Sequence, residues 1–120
     1  MSNDRELLEL AAKAAGIHCK GWVMPGGRSD GWHGMYTGSD DDGAFLRWNP
    51  LTDDGDALRL MVRLRLEPRF IDNSHSNGAE PSRVTLHNFA GIVENIGDDP
   101  AATLRRAITR AAAEIGRQIK

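Results

Sequence analysis

The sequence predicts an α+β domain, and three observations carry that prediction. Apolar residues recur at helical spacing from Leu104 to Ile119 behind an Asp99-Pro100 start. Residues 48 to 60 join the end of a strand to the capped start of a charged helix, and most of the remaining chain falls into short extended segments separated by glycine, asparagine and aspartate turns. The expected architecture is a small antiparallel sheet of about four to five strands packed with an N-terminal, a central and a C-terminal helix. All 120 residues fit one domain, long enough to bury a core without staples.

In chain order, Asn3 followed by Glu6 has capping-box spacing, and Leu7, Leu8, Ala11, Ala12 and Ala15 form one helical stripe that Gly16 ends, predicting a helix over residues 4 to 15. A strand candidate follows from Lys20 to Met24, then a Pro25-Gly26-Gly27 turn, a second candidate from Trp32 to Thr37, an acidic turn over Ser39 to Gly43 and a third candidate from Ala44 to Trp48. Asn49-Pro50 ends that strand, because proline has no N–H for a ladder and turns the residue before it away from helix. Thr52 or Asp53 can cap the next helix, Asp53, Asp54 and Asp56 sit where the positive end of the macrodipole favours carboxylates, and Leu51 is placed as a staple. Residues 58 to 66 fit either period; the acidic start favours helix to about residue 64, with Pro68 opening an extended segment. Arg69 to Asp72 and Arg83 to Asn88 are two further strand candidates joined by the polar loop 73 to 78, with Val84 and Leu86 on one face of the second. In the last helix Leu104, Ala107, Ile108, Ala111, Ala112, Ile115 and Ile119 lie opposite Arg105, Arg106, Arg110, Glu114 and Arg117. Its small alanines permit close approach to a sheet or a helix and leave room for a homo-oligomer.

The segment Trp48-Asn49-Pro50-Leu51 running into Asp54-Gly55-Asp56-Ala57-Leu58, together with the short N-terminal helix and the terminal Asp98-Asp99-Pro100-Ala101-Ala102-Thr103-Leu104-Arg105-Arg106-Ala107-Ile108, resembles small phage and prophage proteins of the phage alpha-beta-alpha sandwich type, NinX-like ones included. The resemblance covers residues 4 to 16, 45 to 66 and 98 to 116, and it implies helices around a small sheet in a phage setting. It carries over no functional residue. The glycine-rich residues 25 to 43 and the loop 73 to 81 have no counterpart in it.

Composition bounds the function. A net charge of −2 and a pI near 6.0 argue against DNA as a generic partner, which would call for a clear basic excess. The sequence shows neither a signal-peptide h-region nor a run of about 18 apolar residues, so the expectation is a cytoplasmic protein of the host cell with no membrane partner. A single cysteine, Cys19, forms no internal disulfide and reads as a small buried side chain.

Candidate chemistry is sparse. Asp40, Asp41 and Asp42 and the Asp53, Asp54, Asp56 group offer hard-cation ligands, but without EF-hand spacing a solvated turn and a capped helix explain them. His18, Cys19 and His33 lack any zinc-site spacing, and Pro25 to Gly31 lacks that of a phosphate loop, so neither metal nor cofactor is assigned. The more informative set is aromatic and cationic. Trp22, Trp32, Tyr36 and Trp48 fall on neighbouring strand candidates, with Arg28, His33, Arg47, Arg83 and His87 within reach. Tryptophan and tyrosine stack on bases or partner side chains while arginine pairs phosphate or carboxylate, so Arg28, Trp32, His33, Tyr36 and Arg47 form the expected binding site. The reading is a non-catalytic phage or prophage accessory protein that binds a host protein or a small nucleotide-like ligand, with counter-defence as its setting. The alternatives are a small metal-dependent hydrolase and a weak nucleic-acid-binding module built on the arginines of the last helix.

Overall fold

The computed structural model describes residues 4–23, 34–39, 45–72, 82–87 and 89–119. The chain runs α1 (Asp4–Ala15), β1 (Gly21–Val23), β2 (Gly34–Ser39), β3 (Phe45–Trp48), α2 (Asp54–Leu64), β4 (Pro68–Ile71), β5 (Arg83–Leu86), β6 (Phe89–Asn95) and α3 (Pro100–Gln118). The α+β class and the N-terminal, central and C-terminal helices are as expected. The strands divide between two three-stranded antiparallel sheets, β1-β2-β3 and β4-β5-β6. The Asn3 cap, the turns over 25–31 and 40–43, the loop 73–78 and Asn88 lie outside the described residues.

Local chemistry sets the helix ends. Gly16 adopts φ +73°, and the Ile17 N–H reaches back to the Ala12 carbonyl at 2.9 Å, closing α1. Asp53 is the N-cap of α2, its carboxylate accepting from the Asp56 N–H at 2.8 Å. At the other end Arg65 takes the left-handed conformation at φ 57° and sends its N–H to the carbonyls of Met61 and Val62, so helix is the period that holds through Leu64. Asp99 caps α3 by accepting from the Ala102 N–H, with Pro100 in the first turn.

The joint between β3 and α2 is knit through Asn49. Its side-chain oxygen accepts from the Leu51 N–H, its carbonyl accepts from the N–H groups of Thr52 and Asp53, and its own N–H donates to the buried Asp56 carboxylate at 2.9 Å. Pro50 is fully buried beneath this turn. Leu51, expected as a staple, packs against the core.

One core cluster unites Leu8, Ala11, Ala12 and Ala15 of α1, Met35 and Trp48 of the first sheet, Ala57 and Leu60 of α2, Val84, Leu86 and Ile92 of the second sheet and Ala107, Ile108, Ala111 and Ala112 of α3. α3 packs against all three strands of the second sheet and against both other helices, its most extensive contact being with α1. β6 is a strand that periodicity did not reveal. Burial alternates from Gly91 to Asn95, but the apolar Val93 faces out and the charged Glu94 faces α3, so the apolar-polar pattern of a half-buried strand is absent.

α3 is also buried more widely than its apolar stripe implies, since Thr109, Ala113 and Gly116 are buried as well. Asp4 lies beside Arg106, Leu10 against Gly116, and Lys13 donates to the Ile119 carbonyl at 2.6 Å, so the contacts follow the same order along both helices. At Gly116 the backbones touch: a Cβ there would fall 2.8 Å from the Leu10 carbonyl carbon and closer still to its oxygen. Alanine is intrinsically the better helix residue by about 1 kcal/mol, yet overpacking against backbone costs about 1–3 kcal/mol or more. Gly116→Ala is therefore expected to lower the melting temperature, whereas Gly97→Ala, where a Cβ meets nothing within 4 Å, is expected to melt as the parent does.

Candidate functional site

The first sheet sorts its aromatic residues between two faces, because residues opposite one another in an antiparallel ladder share a face. Trp22, Met35 and Trp48 form one cross-strand row, with Met35 and Trp48 buried and Trp22 packed on the core. Trp22 also lies under the Arg5 guanidinium, 4.7 Å from its centroid. Gly21, Tyr36 and Arg47 form the adjacent row, on the other face. Tyr36 and Arg47 are thus brought side by side, the first half-buried and the second exposed. The Tyr36 ring folds across Gly21, whose missing side chain makes room for it: a Cβ there would stand 2.6 Å from the ring. Arg28, Trp32 and His33 lie outside the described residues. Arg83 and His87 belong to the second sheet and its turn, separate from this row.

Three other expectations meet a structural answer. Cys19, expected to be buried, is exposed, with its Sγ 3.4 Å from the Gly21 carbonyl oxygen. Asp53 caps α2, Asp54 pairs with Arg105 at 2.6 Å, and Asp56 holds the Asn49 N–H and the Arg59 guanidinium, so the three carboxylates are engaged in the fold. Among the described residues no three His, Cys, Asp or Glu side chains converge as metal ligands would.

The third concerns the arginines of α3, which the sequence places opposite the apolar stripe. Arg105 donates from Nε to the Leu51 carbonyl and from a terminal nitrogen to Asp54, locking α3 to the β3–α2 joint. Arg106 reaches Asp4 of α1 at 3.2 Å and Glu94 of β6 at 3.9 Å, Arg110 pairs with Glu94, and Arg117 bridges Glu6 of α1 and Glu114 of its own helix. These side chains are inter-element clamps.

The same clamps line a groove of about 550 Å³ between α1, α3 and β6. Leu7, Phe89 and Ile92 supply apolar surface, Gly91 leaves open space, and Arg106, Arg110 and Arg117 with Glu94 and Glu114 supply charge. Arg106, Arg110 and Arg117 recur four and seven residues apart, which places them along one line of the helix; that spacing was the available signal in the sequence. The contribution of β6 was not legible, since the strand itself was missed. The chain matches no family model, no curated protein and no solved structure.

The two faces of the first sheet make different demands on stability. Trp48→Ala removes a buried indole and is expected to cost about 3–5 kcal/mol in chemical denaturation, while Tyr36→Ala removes a cross-strand cover and is expected to cost about 1 kcal/mol or less.

Proposed function

We propose that this protein acts by binding rather than by turnover, as a phage or prophage accessory protein, and that the groove between α1, α3 and β6 holds a small anionic ligand with an apolar part, the class to which nucleotides belong. Sequestering such a ligand is a counter-defence activity. The observation that carries the reading is the groove itself: an apolar and aromatic wall facing a line of three guanidinium groups. Each arginine already holds a carboxylate, so a phosphate entering the groove exchanges with Glu94 or Glu114 for the guanidinium groups. The phage setting rests on the layout of residues 4 to 16, 45 to 66 and 98 to 116.

A host protein is the second reading, and the row Tyr36–Arg47 favours it. An aromatic ring beside an exposed arginine on a solvent-facing sheet surface is the pairing enriched at interface centres. The expected site of Arg28, Trp32, His33, Tyr36 and Arg47 stays with this reading. A metal-dependent hydrolase built on Asp53, Asp54 and Asp56 would have to dismantle the α2 cap, and a nucleic-acid surface on α3 would have to break its clamps to α1, α2 and β6.

The test is thermal stabilisation against linear and cyclic nucleotides, paired with the variant Arg110→Gln, which removes a guanidinium from the groove. Binding linkage gives about 2.7 kcal/mol at free ligand 100 times its dissociation constant. One nucleotide is expected to raise the melting temperature of the parent more than that of Arg110→Gln, without being consumed. No shift with any nucleotide, or a shift accompanied by turnover, contradicts the reading.

A further inference from the structure

We propose that the outer face of α2 is the contact surface of a twofold-symmetric homodimer in which two copies of α2 pack antiparallel. Asp54, Leu58, Met61, Val62 and Arg65 follow one another at intervals of four, three, one and three residues, which keeps them along one side of the helix axis. Leu58 is 56% exposed and Val62 58%, a large apolar exposure for adjacent positions four residues apart on one helix. Beside them Ala57, Met61, Ala101, Leu104 and Ile108 line a shallow apolar groove between α2 and α3, so the patch continues past the helix itself.

The order of charges along the face selects the occupant. The apolar centre has a carboxylate at its N-terminal end, Asp54, whose side chain stays largely exposed while it pairs with Arg105 of the same chain, and an exposed guanidinium at its C-terminal end, Arg65. A face with charges arranged in that way is complementary to itself when reversed. With the twofold axis between Leu58 and Val62, Leu58 of each copy meets Val62 of the other, and Asp54 of each comes opposite the turn that holds the other's Arg65. The antiparallel arrangement also sets opposite ends of the two helix macrodipoles beside each other. An isologous interface needs this self-complementarity. A parallel pairing would instead place Asp54 against Asp54 and Arg65 against Arg65. The surface is on the opposite side of α2 from Leu60, which faces the core, so dimer formation leaves the groove between α1, α3 and β6 open.

Sedimentation velocity over a dilution series tests this. The parent is expected to reach twice the 13.2 kDa mass of one chain, and Leu58→Glu and Val62→Glu, both at exposed positions, are expected to raise the dimer dissociation constant about tenfold or more while far-ultraviolet circular dichroism stays unchanged. Arg65→Asp is expected to weaken the dimer, because it sets a carboxylate opposite the N-terminal turn that holds the other copy's Asp54. A parent that stays monomeric up to about 1 mM, the weak end of specific association, overturns the proposal. So does a dimer indifferent to Leu58→Glu or to Arg65→Asp.

Discussion

The contact of α1 with α3 is the constraint on which the rest of this structure depends. α3 is the hub, touching the second sheet and both other helices, and it can serve all of them because its inner residues are small. Ala107, Ala111, Ala112, Ala113 and Gly116 let neighbouring backbone approach, and at Gly116 the approach is close enough that a single methyl group would displace α1. Dispersion falls off steeply with separation, so a contact made of alanines stabilises only where the backbones are held this near. Because the two helices run in the same sense, their macrodipoles do not assist. Ion pairs at the flanks, Asp4 with Arg106 and Glu6 with Arg117, together with the hydrogen bond from Lys13 to Ile119, hold the register instead.

Charge placement follows from the same hub. Arg105 carries the link from α3 to the β3–α2 joint, where Asn49, Asp53 and Asp56 satisfy one another's backbone groups around a buried proline. Arg106 and Arg110 carry the link to β6 through Glu94. The arginines that line the groove between α1, α3 and β6 are therefore also the ones that assemble its walls. A ligand that competes for them draws on interactions the fold already uses, and this couples occupancy of the groove to the stability of the whole.

Much of this was legible in the sequence where a local rule acts alone. Gly16, Asp53 and Asp99 mark helix ends by their own capping chemistry, and α1, α2 and α3 fall where those residues place them. Val84 and Leu86 face inward as their alternation predicts. What escaped depends on partners distant in the chain. The strand β6 was hidden because Val93 faces out and Glu94 faces α3, and the clamping role of Arg106 and Arg110 needed Glu94 beside them. The aromatic residues of the first sheet divide between its faces for a geometric reason, since Trp22 and Trp48 align with Met35 while Tyr36 aligns with Gly21 and Arg47 on the reverse face. Of the expected site of Arg28, Trp32, His33, Tyr36 and Arg47, only Tyr36 and Arg47 fall among the described residues, and these two adjoin.

Native-state hydrogen exchange tests the central role of the α1–α3 contact most directly, since it reads the opening free energy of each amide separately. If the two helices depend on each other, the slowest amides of α1, around Ala11 to Ala15, and those of α3, around Ala107 to Ala113, open together at the free energy of global unfolding. Exchange of α1 through a separate, lower-energy opening that leaves α3 protected would show that the hub stands without it and would contradict the account.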